Sequence, residues 1–277
     1  MSSTPTDHVT VATLEVPDGT LHYEVRGRGP LVALVAAPMT ADAFAPLADL
    51  LATDHTVLTT DPRGVGRSPL RDPDSDSTPR LRADDLARLI AHLDAGPAAV
   101  LGSSGGAVTV LALAQAHPDR VHTVIAHEPP LIDLVDDRAD LRAREDDMIA
   151  TYRAGDRLGA WRKFLASANI QLPEEAVQAM FAAEPDPQSA ADERYQYLHM
   201  LSGTTRFAPD VAALRDGPTR VVVGIGEESA GELCDRTSRA LAGLLGVAPA
   251  MFPGGHTGFA ENPPRFAARL REVLAER

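Results

Sequence analysis

The feature that most restricts the fold is a set of short runs that are apolar at consecutive positions rather than at alternate ones. They lie at residues 31–36, 56–60, 98–103, 121–126, 219–225 and 247–252. A strand that is apolar on both faces has to be covered on both, which describes a parallel sheet layered between helices. Helical patterns occupy the gaps, at 41–52, 80–94, 105–117 and 230–245, and Asn262-Pro263 is suited to start a last helix. Ahead of these, residues 10–16 and 20–26 read as two antiparallel strands joined by Pro17-Asp18-Gly19, with Leu21, Tyr23 and Val25 alternating. The pattern gives an α/β class with eight strands.

The alternation stops between Pro129 and about Pro209. Strand signals vanish there, and four helical segments follow, broken near Gly155, at Leu172-Pro173 and at Pro185-Asp186-Pro187. The expected organisation is a core made of residues 1–128 and 210–277, carrying a helical insertion at 129–209. At 277 residues one core plus an insertion is sufficient. The insertion holds the only tryptophan, Trp161, with Tyr195, Tyr197, Met148, Met180 and Met200, side chains able to line an adaptable apolar cavity. Trp161 is the expected substrate contact among them.

Composition removes several classes of function. The formal net charge is −13, and Lys163 is the only lysine among 26 basic residues, so no basic stripe exists to neutralise nucleic-acid phosphates. No apolar run reaches the roughly 18 residues of a membrane span. The start, Met1-Ser2-Ser3-Thr4-Pro5-Thr6-Asp7-His8, lacks the basic flank and apolar core of a signal peptide, which makes it a frayed tail and the cytoplasm the expected compartment. One cysteine, Cys234, allows neither an internal disulfide nor a Cys-rich metal site, and its apolar position in a helical pattern reads as that of a buried bystander. Neither metal nor cofactor is expected. The oligomeric state is left open.

Candidate chemistry begins at Gly102-Ser103-Ser104-Gly105-Gly106, which fits the G-x-S-x-G frame of a nucleophile elbow with Ser104 at its centre. An apolar run leads in and a small-residue helical stretch leads out, the strand-to-helix setting that the motif requires. A second glycine-rich segment, Asp61-Pro62-Arg63-Gly64-Val65-Gly66-Arg67-Ser68, follows the strand at 56–60. Its glycine spacing, with Pro69 next, breaks the dinucleotide-binding pattern. Phe252-Pro253-Gly254-Gly255-His256 follows the last strand, and so delivers His256 to the carboxyl edge of the sheet, where open α/β sheets place their sites.

With these three motifs in this order, the chain resembles the α/β-hydrolase fold family over nearly its whole length. The resemblance implies an eight-stranded, mostly parallel sheet with strand two antiparallel, a helical cap inserted after strand six, Ser104 as nucleophile and His256 as general base. It implies an oxyanion hole from the backbone N–H groups of Gly105 and Ala37. The chain departs from the family pattern twice. The His-Gly pair usual at the end of strand three reads Val35-Ala36, before Ala37-Pro38. The usual aspartate after strand seven is replaced by Ser229, following Glu227-Glu228. Glu128, at the end of strand six in Ala126-His127-Glu128-Pro129-Pro130, is the expected acid, as in zearalenone-type lactone hydrolases, while Glu227 or Glu228 would need a shifted loop. The expected activity is hydrolysis of a hydrophobic ester or lactone through an acyl-enzyme. Two alternatives are a tailoring enzyme of secondary metabolism (cyclase, acyl transferase or perhydrolase) using the same triad, and a non-catalytic small-molecule receptor of the same fold.

Overall fold

The computed structural model describes residues 9–276; the expected tail at Met1–His8 lies outside them. Eight strands form one sheet: β1 (Thr10–Val16), β2 (Gly19–Arg26), β3 (Leu31–Ala37), β4 (Thr56–Thr60), β5 (Ala98–Ser104), β6 (Val121–His127), β7 (Arg220–Gly226) and β8 (Ala250–Phe252). Their spatial order is β1-β2-β4-β3-β5-β6-β7-β8. β2 pairs antiparallel with both neighbours, and every other pairing is parallel. This is the eight-stranded, mostly parallel α/β-hydrolase sheet that the resemblance implied. All seven residues of β3 are buried, as continuous apolarity requires of a strand covered on both faces.

The helices are α1 (Ala45–Leu51), α2 (Pro79–Leu93), α3 (Gly105–Ala116), α4 (Arg138–Arg153), α5 (Arg157–Ala168), α6 (Glu174–Phe181), α7 (Pro187–Tyr195), α8 (Leu201–Thr205), α9 (Val211–Asp216), α10 (Leu233–Leu245), α11 (Gly258–Glu261) and α12 (Pro263–Ala275). One core cluster joins α2, α3 and α10 to one face of the sheet, and a second joins α1 and α12 to the other. Among the described residues no helix is long and apolar enough to cross a membrane.

Differences from the sequence reading are local. The helix expected at 41–52 opens as a 3-10 turn, Ala41–Phe44, before α1. β8 starts at Ala250 rather than Val247, because Gly246 at φ 72° ends α10 and the Val247 N–H is spent on the Ala242 carbonyl. α10 starts at Leu233, not at 230. Between β6 and β7 stand a 3-10 turn, Ile132–Leu134, then α4, α5, α6, a continuous stretch in which α7 passes through a π-helical turn, Gln196–Met200, into α8, and the short α9.

Two glycines of the elbow motif are fixed by close packing. A Cβ on Gly106 would meet the Val35 carbonyl oxygen at 2.3 Å, and one on Gly102 would meet the Gly106 carbonyl oxygen at 2.3 Å. α3 therefore rests directly on the backbone of β3. In an open helix position glycine-to-alanine adds about 1 kcal/mol of stability, but here the clash reverses the sign, at a cost of about 1–3 kcal/mol. Gly106→Ala should lower the urea unfolding midpoint. Gly243→Ala, in α10 with nothing within 4 Å of its added Cβ, should raise it.

Candidate active site

Ser104 closes β5 and caps α3 at φ 56°, ψ −124°. A non-glycine residue in this region is strained by about 1–3 kcal/mol and persists only where its surroundings fix it. Here the sheet fixes it. Ser103 on β5 still pairs with His127 on β6, and Ala37 on β3 lies opposite Ser104. Glu128, one residue past β6, is also left-handed, at φ 55°. Its N–H donates to the Gly224 carbonyl, and the turn carries its side chain into a fully buried position.

That carboxylate has two partners. Oε1 accepts the Gly226 N–H at 2.8 Å, and Oε2 lies 2.5 Å from His256 Nδ1. Burial, the largest single influence, pushes Glu128 up, but the His256 hydrogen bond and the nearby His127 and His256 rings together outweigh it and hold the carboxyl at about 2. For His256 burial acts downward, while Cys234 and Glu128 push upward, and the imidazole ends well above its ordinary value. Burial keeps Cys234 a thiol, its own pKa raised, so Glu128 is the negative charge that acts on His256 at neutral pH. Glu227 and Glu228 are both exposed, and Ser229 is buried in the register where the family's aspartate would stand. The imidazole's carboxylate partner is Glu128.

Ser104, Gly105, Ala37 and His256 line one cavity of about 140 Å³. Its other walls come mainly from the helices between β6 and β7: Ile132, Leu141, Met148, Phe164, Met200 and Leu201. Glu145 also lines it, with its charge occupied by Thr205 Oγ1 and Arg206 Nε. Among the described residues Ser104 Oγ makes no hydrogen bond. With His256 Nδ1 held by Glu128, Nε2 is the imidazole nitrogen left for another partner. Gly105 is the first residue of α3, so its N–H has no partner within the helix.

Trp161 is not on the cavity wall, which corrects the reading of it as a substrate contact. Its indole N–H donates to Glu193 at 2.8 Å and its ring stacks on Phe181, so it is consumed in packing the helices together. Phe164, one turn further along α5, lines the cavity instead. Met148 and Met200 also line it, whereas Met180 is exposed and Tyr195 and Tyr197 pack elsewhere. Cys234 needs the opposite correction. It lines the cavity beside His256, in the first turn of α10. Its apolar helical position was visible in the sequence, but not that the helix would point at His256.

The 61–68 segment is structural. Asp61 accepts the Ala41 N–H at 2.8 Å and the Arg67 N–H at 2.9 Å, which ties the chain just after Ala37 to the turn after β4. Gly64, at φ 77°, gives room to the Tyr195 ring, 2.2 Å from where a Cβ would stand. This holds α7 against the core.

Residues 29–205 match the family model described as alpha/beta hydrolase fold. An uncharacterized hydrolase, YraK of Bacillus subtilis (strain 168), is 32% identical over 275 residues, 95% of each chain. The zearalenone hydrolase of Bionectria ochroleuca is 28% identical over 280 residues, 95% of this chain and 97% of its own. Among solved structures, an N-acyl homoserine lactone degrading enzyme superposes with a TM-score of 0.72 at 19% identity, covering 94% of this chain and 99% of its own, a likeness of fold.

An imidazole whose protonated form is stabilised keeps its proton to higher pH, and a carboxyl whose ionised form is stabilised gives its proton up at lower pH. The Glu128–His256 bond therefore adds folding stability that is full between the ordinary carboxylate and ordinary histidine values, is lost as pH rises through the raised imidazole value, and is lost as pH falls toward the carboxyl's value of about 2. NMR titration of the His256 imidazole should give a midpoint above 6.5. Glu128→Gln should move that midpoint down, and an unchanged midpoint would mean that the pair is not formed in solution.

Proposed function

Because the chain belongs to the alpha/beta hydrolase fold family, we propose that it is a serine hydrolase cleaving a carboxylic ester or lactone of an apolar small molecule. The observation that carries this reading is a strained Ser104 at the floor of an apolar cavity whose wall includes an imidazole bonded to a buried carboxylate.

Ser104 Oγ attacks the carbonyl carbon as His256 Nε2 takes its proton, since an unaided hydroxyl is a poor nucleophile at neutral pH. Glu128 holds the other proton on Nδ1, fixing the tautomer, and balances the imidazolium that forms. The N–H groups of Gly105 and Ala37 receive the developing oxyanion, each donor contributing about 3 kcal/mol to the transition state. His256 then protonates the leaving alcohol. Water, activated by the same imidazole, releases the acid and restores Ser104.

The helices between β6 and β7 act as a cap that supplies the binding surface. Apolar side chains dominate it, the carboxylate that the cap contributes, Glu145, is ion-paired with Arg206, and Glu232, which the core contributes to the cavity wall, disfavours an anionic group, which together suit an apolar, non-anionic substrate. At about 140 Å³ the cavity is close to the ~150 Å³ that admits benzene. The reacting end of the substrate is thus a group of about ring size. The lengthwise similarity to zearalenone hydrolase supports a ring-containing ester or lactone over a long straight-chain one.

A p-nitrophenyl ester of a small aromatic or cyclic acid is the first substrate to try. Ser104→Ala should remove turnover and labelling by a serine-reactive phosphonate, with unfolding unchanged within about 0.5 kcal/mol. Glu128→Gln should lower kcat by roughly 10³–10⁴-fold. Wild-type protein that neither turns over such esters nor is labelled at Ser104 would instead be a receptor, and a transacylated rather than hydrolysed product would make it a tailoring enzyme.

A further inference from the structure

Glu128, Cys234 and His256 each offer one ligand atom, and the three atoms lie within 4.8 Å of one another. They come from three separate elements: the turn after β6, the first turn of α10 and the loop after β8. We propose that they form a site for a thiophilic divalent cation of the zinc type, and that occupancy of this site switches the enzyme off. The inhibition, though not the binding, rests on the hydrolase reading above.

A mixed oxygen, sulfur and nitrogen donor set suits zinc and its congeners rather than magnesium or calcium, and three protein ligands leave a fourth position for water. Access is open, because Cys234 and His256 both line the substrate cavity. The site is also held in place: Glu128 is anchored by the Gly226 N–H at 2.8 Å, and Cys234 is set by α10. A further carboxylate, Glu232, lines the cavity two residues before Cys234, and its side chain makes no hydrogen bond among the described residues. It stands close enough to Glu128 and His256 to feel their charge, and so adds negative potential where a cation would arrive.

On binding, the Cys234 S–H bond breaks, a metal–sulfur bond forms and the proton passes to solvent; nothing is oxidised or reduced. The carboxylate and thiolate together balance the divalent charge. An ion on His256 Nε2 occupies the lone pair that would accept the Ser104 proton. An ion on Nδ1 leaves the remaining proton on Nε2. In both cases the imidazole is no longer a base.

The test is titration of the whole enzyme with cadmium, following thiolate-to-metal charge-transfer absorption, beside zinc inhibition of p-nitrophenyl ester turnover. The expected result is a one-equivalent band in wild-type protein, absent in Cys234→Ala and in Cys234→Ser, and weakened by about tenfold or more in affinity in His256→Ala. Zinc should lower wild-type turnover by at least ~10-fold, reversibly with a chelator, but Cys234→Ala by no more than ~2-fold against its own metal-free rate. Absence of the band in wild-type protein, or equal inhibition of wild type and Cys234→Ala, would overturn the proposal. If the metal-free enzyme cleaves no ester, the proposed activity falls while the cadmium band still decides the site.

Discussion

A carboxylate with no solvent exposure cannot stand uncompensated in a protein interior, and the bond between Glu128 and His256 is what makes this one tolerable. Much of the arrangement around it follows. Because the acid is attached to the end of β6, it needs a left-handed turn to bring its side chain under the imidazole, and the Gly226 N–H at the end of β7 supplies its second hydrogen bond. The loop after β8 must then deliver His256 to within 2.5 Å of it. Three neighbouring strand ends are locked together by one ionisable group, at the edge where β5 presents Ser104.

The helices over this edge are joined to the core by two small apolar clusters and by directional polar contacts. The Gly66 N–H donates to Asp192, Tyr195 hydroxyl donates to the Ser75 carbonyl, and Arg82 donates to Thr204. Arg82 is buried on α2 with no carboxylate bonded to it among the described residues; desolvation lowers it to about 9, and Thr109, Ser77 and Thr204 hold it. It keeps its charge at neutral pH and fixes α8, and with it Thr204 and Thr205, at the cavity wall. Such contacts depend on direction, so they position the wall residues more closely than apolar packing alone would.

The sheet was legible because continuous apolarity over five to seven residues has few other solutions, and Ser104, Glu128 and His256 could be placed because each stands at or just after a strand end on one edge. Reading Glu128 rather than Glu227 or Glu228 as the imidazole's partner rested on the family resemblance, which places β6 beside β5 and, in zearalenone-type lactone hydrolases, puts the acid at its end. What could not be read were properties of helix rotation. The apolar pattern of α5 contains both Trp161 and Phe164, and one turn decides which lines the cavity and which stacks on Phe181. Cys234 was hidden for the same reason, since its position in α10 says that it is covered but not by what.

The carboxylate on β6 and the thiol on the cavity wall meet at the turn after β7. In the register where an aspartate would stand after β7, Ser229 is short enough to be buried, and its carbonyl accepts the Glu232 N–H. The turn also bonds back to the neighbouring loop through Glu228 N–H and the Gly254 carbonyl. This compact turn starts α10 immediately afterwards, so that Glu232 caps the helix and Cys234 falls in its first turn beside His256. A longer acidic side chain at 229 would compete with Glu128 for the same imidazole and meet its like charge across a buried gap. With the carboxylate on β6, the β7 turn carries only Ser229 in that register, and the start of α10 directly after the turn is what brings a sulfur atom to the cavity wall.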